Sequence, residues 1–185
     1  MKKVIGITGS IGSGKSYAVE RFKTICEQNK INARFIDVDD IRRDILKQEK
    51  IDRTKLNQKI YNDPEEMKRY KEFINPQIKK YLVEKIKDND GVVFIEWALL
   101  VEDGLDNIVD SIIEVYCKKE IQIKRLENED LGKEEIIKRM NLQLTNEQKI
   151  EKIKQLNKEF YIIDTSNNPR IEEYESVLKK EGLYE

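Results

Sequence analysis

Short, wholly apolar runs alternate along this chain with longer stretches whose apolar residues return every third or fourth position. Val4-Ile5-Gly6-Ile7 is apolar throughout and ends at once in glycine and serine, the pattern of a strand covered on both faces of a parallel sheet. From Lys15 the period changes. Ala18, Val19, Phe22, Ile25 and Cys26 recur at helical spacing with charges between them, which predicts an amphipathic helix. Ala33–Asp37, Val92–Ile95, Ser111–Tyr116 and Phe160–Ile163 predict four further strands. Ile41 and Ile45 mark a helix after the second strand, and Leu56 and Ile60 mark another. Pro64, followed by Glu65 and Glu66, suits the first turn of a long helix with the stripe Met67, Tyr70, Ile74, Ile78, Leu82 and Ile86. Pro76 lies inside that stripe and predicts a kink or break near Asn75. Lys119–Asn128, Lys133–Gln143 and Asn146–Asn157 read as densely charged helices, and Pro169 opens a last one.

Strands alternating with helices predict an α/β sandwich around a central parallel sheet of five strands. The 185 residues fit a single domain. Within it, the helical stretch at about 40–90 is the candidate substrate-binding insertion. The charged helices at about 119–157 are the candidate lid.

Charge changes the picture by exclusion. The chain has 35 basic and 36 acidic residues, a formal net charge of −1, so it lacks the basic excess of a protein whose main partner is a nucleic-acid backbone. A local basic cleft for phosphates remains open. There is no histidine, which removes imidazole acid–base chemistry and histidine metal sites. Cys26 and Cys117 have no metal-ligand spacing and are expected as small buried hydrophobes. Lys2 and Lys3 precede an apolar run too short for a signal peptide, and no stretch is long enough to span a bilayer. The expected setting is cytoplasmic, with a small-molecule substrate and neither nucleic acid nor membrane as partner.

The sharpest chemical signal is Gly9-Ser10-Ile11-Gly12-Ser13-Gly14-Lys15-Ser16, a full match to G-x-x-x-x-G-K-[ST]. Glycines let successive backbone N–H groups turn inward around phosphate oxygens, and the following helix aims its positive end at the same anion. A nucleotide is therefore expected on Ile11, Gly12, Ser13, Gly14, Lys15, Ser16 and Tyr17. Lys15 is expected at the β- and γ-phosphates and the Ser16 hydroxyl on Mg²⁺. A strand before the loop and a helix after it supply the context this P-loop requires. Neither Asn29-Lys30-Ile31-Asn32 nor Asn157-Lys158-Glu159-Phe160 completes an N-K-x-D guanine loop, so ATP is favoured.

Two carboxylate positions follow. Phe35-Ile36-Asp37-Val38-Asp39-Asp40 puts acids at the carboxyl end of the second strand, the edge that faces the ligand crevice of an open parallel sheet. There a carboxylate can take the proton of an attacking hydroxyl; equally, Asp39 or Asp40 can cap the helix at Ile41. Glu96 ends the Val92-Val93-Phe94-Ile95 strand as a Walker-B acid would, within water-mediated reach of Mg²⁺, or stands as an acid at the exit of a core strand.

Further segments then share a common likeness. Ile5 to Ser16 is close to an extended T-G-x-x-x-x-G-K-S loop. Ile36-Asp37-Val38-Asp39 matches I-D-x-D, Asp52-Arg53 with Leu56 is similar to D-R-x-x-L, and Ala98-Leu99-Leu100-Val101-Glu102 is similar to P-L-L-x-E. Gln122-Ile123-Lys124-Arg125-Leu126 matches Q-x-x-R-L, Arg139-Met140-Asn141-Leu142-Gln143 matches R-x-x-x-Q, and Ile162-Ile163-Asp164 is similar to a closing strand. In this order and spacing the chain resembles the bacterial dephospho-coenzyme A kinase family over most of its length. The resemblance implies a P-loop kinase fold of the three-layer NTPase type, with core, CoA-binding and lid regions. It also implies transfer of the ATP γ-phosphate to the ribose 3′-hydroxyl of dephospho-CoA, with Asp39 as catalytic base. Arg125 and Arg139 are the candidates to stabilise the transferring charge, since guanidinium binds phosphate bidentately; solvated helix-face charge is the plain alternative for both. The chain departs from the family pattern at Tyr17, at Asn75 before Pro76 where the family has His-Pro, at Ala98, and at Glu129 before Asp130 where the family has an R-D pair. The link from Ile45 to Asp52 is also shorter. Two other readings stay open on these residues: a kinase for nucleosides or nucleoside monophosphates, and an ATP-binding module without transfer activity.

Overall fold

The computed structural model describes residues 2–128 and 132–184; Glu129 and Asp130, where the lid departs from the family pattern, lie outside them. Five strands, β1 (Lys3–Thr8), β2 (Ala33–Asp37), β3 (Val92–Glu96), β4 (Ser111–Tyr116) and β5 (Glu159–Asp164), form one sheet in the order β2-β3-β1-β4-β5. β1 runs parallel to both β3 and β4, and β4 parallel to β5. The central parallel five-stranded sheet is therefore as the apolar runs predict. Eight α-helices are described: α1 (Lys15–Gln28), α2 (Val38–Gln48), α3 (Arg53–Ile60), α4 (Pro64–Lys87), α5 (Lys119–Glu127), α6 (Lys133–Asn141), α7 (Asn146–Lys154) and α8 (Ile171–Lys180).

The chain divides into two compact units, one of Met1–Ile36 with Asp90–Glu185 and one of Asp37–Asn89. In the first, the period-two alternation of β1 sends Ile5 and Ile7 to one face, where they join Phe22 and Ile25 of α1, Phe94, Ile113, Val115, and Tyr174 and Leu178 of α8. The Phe22 ring stacks on Phe94 at 6.0 Å and meets Tyr174 edge-on at 5.2 Å. Cys26 and Cys117 are both buried and free. On the other face a Cβ at Gly6 would come within 2.5 Å of Leu100 Cδ2, so a larger residue there would require the Leu100 side chain to shift.

In the second unit α2 and α3 both pack on α4. Its core is Val38, Ile41, Ile45, Leu46, Ile60, Ile74, Ile78 and Leu82. α4 runs unbroken through Pro76 for 24 residues, so of the kink or break expected near Asn75 the break does not occur. Proline removes one helical hydrogen bond, but Ile74 and Ile78 flank it as fully buried anchors, and their burial holds both halves in one helix.

Candidate active site

The P-loop leaves β1 at Thr8 and enters α1 at Lys15. Gly14 sits at φ 84°, ψ 25° as the helix N-cap and carries no side-chain cap; the left-handed backbone is one glycine adopts without strain. First-turn amides have no acceptor inside their helix, so those of Lys15, Ser16 and Tyr17 are left to an outside anion. A Cβ at Gly9 would lie 2.6 Å from the Val115 carbonyl, so glycine alone allows the loop to turn over β4.

Two of the amides expected to cradle phosphate have protein acceptors instead. Ile11 N donates to Gln143 Oε1 at 2.9 Å, and Ser13 N to Ser10 O at 3.0 Å. The Ile11 carbonyl accepts from Gln122 Nε2 at 2.9 Å. The loop is thus braced from outside by two glutamines, a role sequence reasoning did not assign to Gln122 or Gln143.

Register carries acids to the same edge. Ile7 pairs with Glu96, so Glu96 leaves β3 level with the end of β1. Its Oε1 accepts from Ser16 Oγ at 3.3 Å and lies 4.0 Å from Lys15 Nζ. Lys15, Ser16 and Glu96 therefore converge, with the lysine and glutamate side chains each 16 % exposed.

Arg125 is placed against protein rather than open solvent. Its Nη1 donates to Gly12 O at 3.3 Å and to Thr165 Oγ1 at 3.1 Å, and Nη2 donates to Thr165 O at 2.7 Å. The Thr165 hydroxyl in turn donates to Ser13 O at 2.5 Å. Arg125 so ties the P-loop to the turn after β5. Arg139, on α6, is half-exposed and donates from Nε to Glu135 Oε1 at 2.8 Å, one helical turn away. Tyr17 is 46 % exposed with its hydroxyl accepting from Arg21, whereas Trp97 is buried at 2 %.

Asp39 belongs to the second unit, in the first turn of α2. Its carboxylate accepts from Arg42 Nη1 at 3.0 Å and is 64 % exposed. The α2 cap is neither Asp39 nor Asp40, the two capping candidates, but Asp37, whose Oδ1 accepts from Asp39 N at 2.8 Å. The helix starts at Val38 because the earlier aspartate is the one with extended backbone (φ −91°, ψ 120°). Asp39 is thereby left without a capping duty. Asp52, first residue of the D-R-x-x-L-like segment, caps α3 through the amides of Thr54 and Lys55. The Tyr70 phenol is pushed up by burial and feels Arg42, Asp39, Tyr61 and Arg53, so these polar groups of the second unit stand near one another.

Behind the P-loop lies a buried charge cluster that the sequence reading missed. Glu114 of β4 is fully buried beside Thr8, and neither of its oxygens has a hydrogen-bond partner among the described residues. Burial pushes its carboxyl up to about 8; Lys149 and Lys15 pull it down, and Glu102 pushes it further up. Lys149, of zero exposure, lies 3.0 Å from Glu102 Oε1 and donates to Ala98 O at 2.6 Å. The one sequence signal was Lys149 standing a turn from Ile153 on the apolar face of α7.

Comparison with known proteins agrees with this architecture. A dephospho-CoA kinase from Fusobacterium nucleatum is 29% identical over 164 residues, covering 80% of this chain and 85% of its own. One from Listeria innocua is 30% identical over 177 residues, covering 82% and 86%. The crystal structure of TT1252 from Thermus thermophilus matches with a TM-score of 0.77 over 96% of this chain and 95% of its own, at 23% identity, a likeness of fold. No described helix is long and apolar enough to cross a membrane. With the dephospho-CoA kinase family model matching residues 3–159, the chain belongs to the dephospho-CoA kinase family, P-loop enzymes that phosphorylate dephospho-CoA from ATP in coenzyme A biosynthesis.

Proposed function

We propose that this chain transfers the γ-phosphoryl group of ATP to the ribose 3′-hydroxyl of dephospho-CoA, with Lys15, Ser16 and Glu96 gathered at the donor phosphates and Asp39 as the base. The observation that carries the donor half is the convergence of Lys15, Ser16 and Glu96 at the carboxyl edge of β1 and β3. Phosphoryl transfer asks mainly for positioning and charge stabilisation. The uncapped first turn of α1 supplies N–H donors and Lys15 a positive charge for the β- and γ-phosphates.

Mg²⁺ fits this donor set. The Ser16 hydroxyl and the Glu96 carboxylate present two hard oxygens 3.3 Å apart. Among the described residues no cluster of three or more acidic, cysteine or histidine side chains stands ready to cage a metal. One or two protein oxygens completed by phosphates and water is the binding mode of Mg²⁺. When bound, the ion neutralises charge on the phosphates. Ser16 would hold it directly, and Glu96 would orient its water shell.

For the acceptor half, Asp39 lies in the turn that directly follows β2 and is free of capping, so its carboxylate is available to a hydroxyl proton. The unit of Asp37–Asn89 is the proposed acceptor-binding insertion, with Arg42 and Arg53 as cations for the acceptor phosphates. The helices α5 to α7 form the proposed lid, from which Gln143 reaches Ile11 and Arg139 supplies a further cation. Arg125 is proposed as a brace of the nucleotide loop.

The decisive experiment incubates the protein with Mg·ATP and dephospho-CoA and follows coenzyme A by mass spectrometry. Turnover above roughly 1 s⁻¹ is expected of a working kinase. Phosphorylation of nucleosides in place of dephospho-CoA, at equal concentrations, overturns the acceptor assignment.

A further inference from the structure

Arg125 and Thr165 hold the second half of the P-loop, at the carbonyls of Gly12 and Ser13. The first half is held from elsewhere. The Thr8 hydroxyl donates to Ala98 O at 3.1 Å, and the same carbonyl accepts from Lys149 Nζ at 2.6 Å. Lys149 also pairs with Glu102, whose Oε1 accepts from the Leu144 amide at 3.4 Å. The Leu144 carbonyl in turn accepts from Ser10 Oγ at 3.3 Å, and Gln143, one residue earlier, takes the Ile11 amide. Glu102 and Lys149 therefore reach Thr8, Ser10 and Ile11 through two short relays, yet neither stands among the groups gathered at the donor phosphates.

Stability is a weak reason for such a pair. Two well-packed apolar side chains of similar volume often hold a buried site as well or better, because they carry no desolvation cost. What the pair adds is geometry. Lys149 Nζ and Leu144 N converge on one carboxylate oxygen, and Lys149 and Thr8 converge on one carbonyl. Lys149 and Ser10 are both buried, and hydrogen bonds shielded from water are stronger than exposed ones.

We propose that Glu102 and Lys149 are positioning residues of the nucleotide site, which hold the α6–α7 connection as a clasp on the first half of the P-loop. The inference rests on the reading of that loop as the ATP site. A loop already in its binding conformation loses less freedom when the ligand arrives, so a loosened clasp weakens nucleotide binding. Ser10 acts in series with Glu102 through Leu144. Once one link is cut, the other has little left to transmit, and the two losses do not add.

The test exchanges the pair for apolar residues, Glu102→Met with Lys149→Met, alone and together with Ser10→Ala. Calorimetry reads Mg·ATP affinity, and amide hydrogen exchange without nucleotide reads Ile11 against Ala18, whose amide is bonded to Gly14 O within α1. The pair variant is expected to weaken ATP about tenfold and Ser10→Ala about fivefold, the worth of one net hydrogen bond or slightly more. The triple variant should stay near tenfold, where independent sites would give about fiftyfold. Ile11 should exchange about fivefold faster in each variant, with Ala18 unchanged. ATP affinity and Ile11 exchange both within about twofold of wild type, fully additive losses, or Ile11 and Ala18 speeding alike overturns the clasp. Ser10→Ala removes a single hydroxyl, so its exchange decides the matter even where the pair variant does not fold. A wild type that binds no Mg·ATP overturns the donor assignment instead, and the exchange ratio still decides the clasp.

Discussion

Lys149 Nζ lies 3.0 Å from Glu102 Oε1, on a lysine with no solvent exposure and a glutamate side chain only 10 % exposed. Glu114, also fully buried, is the third charge-bearing group within electrostatic reach. The lysine is thus the cation that pairs with Glu102 and faces the protonated Glu114, and it also satisfies the Ala98 carbonyl. Removing one partner of a buried pair leaves an uncompensated charge, at a cost of about 3–5 kcal/mol. Lys149→Met is expected to lower denaturant-unfolding stability by that order, and Lys149→Met with Glu102→Gln to recover part of it. A single variant as stable as wild type would remove the pair from the stabilising set.

The buried Glu114 carboxyl gives stability a definite slope with pH. Its value stands at about 8 in the folded chain against 4.5 ordinarily, from burial first and from Glu102 second, with Lys149 and Lys15 opposing. The raised value means the folded state keeps a proton that the unfolded state loses above about pH 4.5. Unfolding then releases a proton, so stability falls as pH rises from about 5 to about 8 and levels off above. Glu114→Met removes this group, flattens that stretch of the pH–stability curve and raises stability at pH 8. Identical slopes in the two proteins, measured by urea unfolding between pH 5 and 8.5, would contradict the assignment.

What could be read beforehand follows from how local each feature is. The P-loop is eight contiguous residues whose chemistry lies in their backbone, and β2 and β4 match their apolar runs residue for residue. Capping is local too, yet three aspartates within four positions compete, and only backbone geometry selects Asp37. Pro76 was expected to kink or break its helix; the local rule omits the burial of Ile74 and Ile78, which holds the helix together, and the break does not occur. Glu114 and Lys149 read as surface charges in any single-residue scale. Their burial depends on the packing of α7 on β4, a contact between segments 35 residues apart. Gln122 and Gln143 brace Ile11 from more than 100 residues away, and no periodicity announces that.

Asp37 and Asp39 stand two residues apart with separable expected roles. Asp37 holds the start of α2 through the Asp39 amide, so Asp37→Ala should cost about 1 kcal/mol of stability. Asp39→Asn keeps the fold, and should lower kcat by about 10²–10⁴ with ATP affinity unchanged, as loss of a general base does. Steady-state kinetics beside calorimetric ATP titration distinguishes the two. Full turnover in Asp39→Asn would strip that residue of the base role.

Arg125 is the residue whose geometry argues for a different job from the one its motif suggests. A guanidinium that stabilises transferring charge must be open to the phosphoryl group, whereas this one donates to Gly12 O and to both oxygens of Thr165. Lysine, a point donor on a flexible stem, cannot span those acceptors as a planar fork does. Arg125→Lys should therefore loosen the loop and raise KM for ATP by about tenfold, the worth of one charge-assisted hydrogen bond, with kcat within about threefold. Thr165→Val, which removes the hydroxyl bridging Arg125 to the Ser13 carbonyl, should shift KM in the same direction. The opposite split, a fall in kcat at unchanged KM, is the mark of a group that acts only in the transition state, and would return Arg125 to the chemistry itself.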